Sequence, residues 1–183
     1  KRLLAALLAV AALFALAGCS KSDKADAAPK DYTKILHDAR PDEDNEYYMI
    51  FSPGEDGKFT AQYGYSDSYD AAQLDEEIRN MLLPLLNLEE DMYTDFAASV
   101  SGMMVQSYGI AIVKPAEGKQ QAVSEALDAY VQSQMQSMEH YLEDQYQIAA
   151  SSHISTAPTG EVILVCCENP EAVMNAIKTA LAA

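Results

Sequence analysis

Two short apolar runs, Ile110-Ala111-Ile112-Val113 and Val162-Ile163-Leu164-Val165, constrain the fold of this chain more than any other feature. Both have strand length, are rich in branched residues and follow a glycine within a residue or two, so each predicts a buried β-strand. Between them Val123, Leu127, Val131, Met135, Met138, Leu142 and Tyr146 recur at steps of three and four, with Tyr130 widening the stripe. That spacing predicts one long amphipathic helix with an apolar face turned to the core. Pro115 suits its first turn or the loop before it, where a missing N–H costs little. After the second run, Asn169 is a candidate cap, Pro170 fits a first turn, and Val173, Ile177 and Leu181 line a helix face.

Upstream, residues 31–39 read as a short helix followed by the acidic run PDEDNE. The segments YYMIFS and KFTAQYGY flank PGEDG, the signature of a β-hairpin with a turn of about five residues. Asp70 and Gln73 form a capping-box pattern ahead of AAQLDEEIRNMLL, and Pro84 should end or kink that helix. Together these elements predict an α+β domain over residues 31–183, in two layers, a mostly antiparallel sheet backed by helices on one face. Its C-terminal half reads as two ββα-like units, at about 94–145 and 146–181. FAAS at Phe96 answers IAAS at Ile148, Gly109 answers Gly160, and AVSEAL from Ala122 answers AVMNAI from Ala172. Duplication and convergence of two similar supersecondary units both account for the match.

The N-terminal segment bears on location. Lys1 and Arg2 precede fourteen apolar residues, Leu3 to Leu16, and then Ala17, Gly18 and Cys19. A helix of that length reaches about 21 Å at roughly 1.5 Å per residue, short of a hydrocarbon core of roughly 30 Å. A basic head, an apolar middle and a small-residue exit are the parts of a secretory signal, which is expected at residues 1–18. The tetrad Leu16-Ala17-Gly18-Cys19 resembles the lipobox of bacterial lipoproteins. The resemblance implies cleavage before Cys19 and attachment of a diacylglycerol to its thiol. Two acyl chains hold a protein on a membrane where one binds only marginally. Residues 19–30, with SKSDKADAAPK after the cysteine, then have the composition of a flexible linker.

Charge and cysteine usage narrow the partners. With 12 Lys and Arg against 28 Asp and Glu the formal net charge is −16, which disfavours nucleic acid and anionic lipid surfaces. Divalent cations are compatible only as weak surface ligands, because neither PDEDNEY nor SDSYDAAQLDEE contains the glycine that a calcium loop needs at its sharp turn. Cys166 and Cys167 are adjacent in a predicted strand, so their side chains should point to opposite faces as small apolar residues.

The stretch from about Leu82 to Leu181, with MLLPLLNLEEDMYTDFAASVSGMMV, YGIAIVK and VILVCCENPEAVMNAI, resembles a family of Gram-positive envelope lipoproteins known only as domain of unknown function 4358. That family implies an anchored extracytoplasmic domain and supplies no catalytic residue. His140 with Glu143 or Asp144 offers two ligands at helical spacing, and zinc needs at least three protein groups. His37 and His153 would have to be brought in by folding. Met135 and Met138, with Met103 and Met104, are a conceivable soft-metal set and a better core stripe. Ser99, Ser101, Ser151 and Ser152 have no base nearby in sequence, and no G-x-S-x-G elbow occurs. No metal, cofactor or catalytic residue is therefore assigned, and Cys19 stands as the one site, for lipid attachment. The expectation is a membrane-anchored extracytoplasmic lipoprotein, a non-catalytic binding or assembly module with an envelope protein or peptide as partner. The alternative is a cell-envelope hydrolase whose site has no recognised motif.

Overall fold

The computed structural model describes residues 29–183, and Cys19, the expected signal at 1–18 and most of the expected linker at 19–30 lie outside them. Six strands form one antiparallel sheet in the order β2-β1-β3-β4-β6-β5. β1 (Ile50–Pro53) and β2 (Phe59–Gln62) are the expected hairpin. β3 (Tyr93–Val100) and β4 (Gly109–Pro115) form a second hairpin, with Phe96 opposite Val113 and Ser99 opposite Ile110. β5 (His153–Thr156) and β6 (Val162–Cys166) form the third, and β4 joins β6 with Ile110 opposite Val165 and Ile112 opposite Ile163.

The α+β class and the antiparallel sheet are as the sequence reads, but the layering differs. Helices cover both faces, giving three layers in place of the expected two. The reason lies in the central strands: Ile110 through Val113 and Val162 through Cys166 are buried at every position. Successive residues on a strand face opposite ways, so a run without polar positions requires a cover on each side. Phe96, Ala98, Ala111, Val113, Leu164 and Cys166 face one core. Ile50, Ala97, Ile110, Ile112, Ile163 and Val165 face the other. At about 1.5–3 kcal/mol for each large aliphatic side chain taken from water, two such cores carry most of the favourable energy of folding.

The first core lies under α3 (Ala71–Glu77), a widened π turn (Ile78–Leu82), α4 (Leu83–Leu85) and α5 (Gln120–Met138). Asp70 and Gln73 make the expected capping box. Pro84 is reached through the π turn, so the chain stays helical past it to Leu85. The second core lies under α1 (Tyr32–Ala39), capped by the Asp31 carboxylate, and α7 (Pro170–Ala182), which buries Val173, Met174, Ile177 and Leu181. Pro170 begins α7 as expected, whereas the Asn169 side chain makes no capping bond.

Two further expectations change. The single long helix is two: α5 ends at Met138, and α6 (Glu143–Ala150) follows a break at which His140 has a left-handed φ of 66°. One turned residue lets Met138 stay buried while the next segment folds back. The two ββα-like units exist as connections, but α5 lies on one face of the sheet and α7 on the other. They have opposite hand, so no rotation superposes them. FAAS sits in β3 and IAAS at the end of α6 and just beyond, so their likeness pairs a strand with a helix.

Candidate functional site

At one end of the sheet, where β3 turns into β4 and β6 leads into α7, a cavity of about 840 Å³ opens to solvent. The β3–β4 loop is its central wall. Ser101 N–H donates to the Tyr108 carbonyl at 3.0 Å, closing the loop at its base. The Ser101 hydroxyl takes the Met103 N–H at 3.2 Å and donates to Gln106 at 3.1 Å, and Ser107 N–H donates to Gln145 of α6 at 2.9 Å. Gly109 starts β4 because nothing larger fits: a Cβ there would stand 2.6 Å from the Tyr130 hydroxyl, which donates to the Tyr108 carbonyl at 2.8 Å.

Behind the cavity lies Arg40, only 5% exposed, just after α1. Its Nε donates to Asn45 at 2.7 Å, Nη1 to the hydroxyls of Ser99 at 2.7 Å and Tyr108 at 3.2 Å, and Nη2 to the Tyr48 carbonyl at 2.6 Å. A buried guanidinium needs such a set, because each unpaired donor would lose its hydration without compensation. The fork thereby ties the end of α1 to α2 (Asp42–Tyr47), to the segment entering β1, to β3 and to the residue just before β4. Tyr48 stacks on Tyr108 with ring centroids 3.9 Å apart and planes 13° from parallel. Tyr47 and Tyr65 stand more exposed on the rim.

Electrostatics follow from partial burial. Asp44 is pushed up by burial, and its polar neighbours, the Tyr108 hydroxyl and the Arg40 charge, offset this only in part. Burial also raises the Tyr48 and Tyr108 phenols. The Cys167 thiol, on the cavity wall, is pushed up to about 11 by burial, so it stays protonated and a poor nucleophile near neutral pH. Ser107 also lines the cavity, and its Oγ is the one buried side-chain polar atom among the described residues without a hydrogen-bond partner.

The residues singled out in the sequence do not converge here. His140 is exposed beside Glu139, His37 packs at a tilt on Tyr63, and His153 lies on edge strand β5. No group of three or more His, Cys, Asp and Glu poised for a metal occurs among the described residues. Met138 is buried and Met135 packs on the first core, while Met103 and Met104 are exposed on the β3–β4 loop. Cys166 and Cys167 face opposite cores, as their alternation requires. Ser99 donates to the Met49 carbonyl at 2.8 Å and is fully buried, and Ser151 and Ser152 cap the end of α6. Tyr130 is in the core. PDEDNEY contains the short helix α2, and SDSYDAAQLDEE spans a 3-10 turn, Ser66–Ser68, and the capped start of α3.

Sequence reasoning missed Arg40, Tyr48, Ser107 and Tyr108. The available signal was a lone arginine within an acidic stretch, since such a residue, once buried, must collect acceptors.

Fold and cavity define a class: an antiparallel α+β domain with helices on both faces and a tyrosine-walled cleft at one end of the sheet. The model of the family described as a domain of unknown function, DUF4358, matches residues 66–167, just over half of the chain, and the protein belongs to that family. The match begins upstream of α3 and ends before α7, so the cleft is built from residues inside and outside it. No curated protein and no solved structure matches the chain. Among the described residues no helix is long and apolar enough to cross a membrane.

Proposed function

We propose that this protein is an extracytoplasmic lipoprotein, anchored through Cys19, whose domain binds a ligand in the cleft without transforming it. The observation that carries the binding reading is the cleft itself. Its volume of about 840 Å³ lies in the range of small-molecule sites, and its walls combine aromatic rings, thioethers and a few polar groups. Its groups favour holding over reacting. None of the three histidines lines it, the Cys167 thiol is held protonated, and the Ser101 hydroxyl is engaged in the loop.

The geometry also suits an anchor on residue 19. Lys30 Nζ donates to the Leu181 carbonyl at the far end of α7, and the Tyr32 hydroxyl donates to Glu161 at 2.9 Å, just before β6 begins. The cleft lies at the other end of both elements, against Cys167 after β6 and Asn169 before α7. A tether leaving near residue 30 would thus hold the domain with its cleft turned away from the bilayer.

Two measurements test this. Cys19→Ala should move the protein from the membrane to the soluble fraction, and membrane retention of that variant overturns the anchor. A screen of small molecules against the 15N-labelled full chain in nonionic detergent should shift amides of Tyr47, Tyr48, residues 102–108 and Glu168. Shifts confined to other surfaces, or turnover of a bound compound, overturn a non-catalytic cleft.

A further inference from the structure

Resting on the reading of the cleft as a ligand site, we infer that its ligand is a small organic amine, bound as the protonated ammonium with an apolar body. Two features of the cleft select a cation, and a third marks a place for a polar group of the ligand.

The first is charge. Glu43, Asp44, Glu77 and Glu168 line the cleft, and no Lys, Arg or His does. Arg40 stands behind the wall, and its charge partly compensates Asp44. Glu43, Glu77 and Glu168 have no ion-pair partner within 4.0 Å among the described residues. An anion entering here would meet three uncompensated carboxylates, Glu43 and Glu168 exposed on the rim and Glu77 half-buried, which repel it. A cation is attracted for the same reason.

The second is the wall material. Four of the chain's 11 tyrosines, at positions 47, 48, 65 and 108, line this one cleft. Aromatic faces attract cations through the ring quadrupole, by about 0.5–2 kcal/mol depending on desolvation. Met81, Met103, Ile148 and Val173 add apolar surface that a hydrocarbon body would cover.

The third is the Ser107 hydroxyl, which an acidic surface alone does not explain. Ser107 is 2% exposed, lines the cleft and leaves its Oγ without a partner. Buried polar atoms are otherwise satisfied, and an orphan beside a cavity marks the place of an absent hydrogen-bond partner. An ammonium N–H supplies one such partner, which a quaternary nitrogen cannot; because a hydroxyl can also donate, the choice of a cation rests on the carboxylates and the rings.

The test compares three probes of one shape and different charge, phenethylammonium, 2-phenylethanol and 3-phenylpropanoate. Each is titrated calorimetrically into the full chain in nonionic detergent, with detergent alone as blank. Phenethylammonium should bind about tenfold more tightly than the alcohol, the worth of one charge-assisted contact, and the carboxylate should bind least. The double variant Glu77→Gln/Glu168→Gln should remove that preference at unchanged Tm and leave the alcohol's affinity as it was. Ser107→Ala should weaken phenethylammonium severalfold while Tm holds or rises, because deleting an unpartnered buried hydroxyl relieves a penalty. Equal binding of ammonium and alcohol, or tighter binding of the carboxylate, overturns the amine assignment and leaves the cleft a ligand site. An ammonium preference indifferent to all three substitutions places the cation elsewhere and overturns it as well. If none of the three probes binds, the assignment falls, and the small-molecule screen alone decides whether the cleft binds anything.

Discussion

Replacing Arg40 by methionine keeps most of the side chain's length and removes its fork. The guanidinium donates to Asn45, Ser99, Tyr108 and the Tyr48 carbonyl from a position 5% exposed, so the variant strands acceptors on four segments at once. Asp44 also loses the positive charge that partly offsets its burial. Breaking a buried charged network by removing one partner costs about 3–5 kcal/mol, and we expect about 4 kcal/mol here. With a urea m-value of roughly 2 kcal/mol/M, the unfolding midpoint should fall by about 2 M. Lysine at position 40 should recover little, because a single ammonium cannot reach acceptors set out for a planar fork. Asp44→Asn should cost less in the Arg40→Met background than in the parent, with a coupling of about 1 kcal/mol. Urea unfolding of the parent and the four variants, followed by circular dichroism, measures each quantity. A loss below about 1 kcal/mol for Arg40→Met would refute the network as the element that holds α1, α2 and the cleft wall on the sheet.

Gly109→Ala should lower stability by about 2 kcal/mol, since its Cβ would press on the Tyr130 ring, and an unchanged melting temperature would show that β4 has room there. Burial alone would raise the Glu161 carboxyl, but hydrogen bonds from Thr159, its own backbone and Tyr32 hold it below the usual carboxylate range. Its contribution to stability is therefore present above the unfolded-state value and lost as pH falls through the lower folded-state value. Glu161→Gln should accordingly melt earlier than the parent at pH 6, with the gap narrowing toward pH 3; a gap that is constant or widens with acid contradicts this. Cys166 is buried in the first core with a raised thiol, so iodoacetamide at pH 8 should alkylate it only after unfolding. Peptide mapping that finds Cys166 modified in the folded protein would show an opening that the core packing does not allow.

Much of the scaffold is legible in the order of residues because its signals are local. The β4 and β6 runs, the PGEDG hairpin, the Asp70 capping box and the α7 stripe are each specified within about a dozen residues, by period, by a cap or by a turn. Even the opposite facing of Cys166 and Cys167 follows from strand geometry. The break after Met138 is not legible in this way. Met135, Met138 and Leu142 keep helical spacing across it, and only the backfolding of α6 against α5 explains why His140 turns. The seeming repeat fails for a related reason: similar words in sequence carry no information about which face of a sheet the next helix takes.

What the sequence determined by itself was most of the elements, the antiparallel α+β class and a strongly acidic surface, because propensity, periodicity and charge are properties of neighbouring residues. Tertiary structure alone decided the three layers and the cleft. Arg40 reaches Ser99 and Tyr108, 59 and 68 residues away, and those meetings exist only once two cores have closed around one sheet. An unpartnered hydroxyl such as that of Ser107 is likewise invisible in a string of letters, since being unpartnered is a statement about everything that surrounds it.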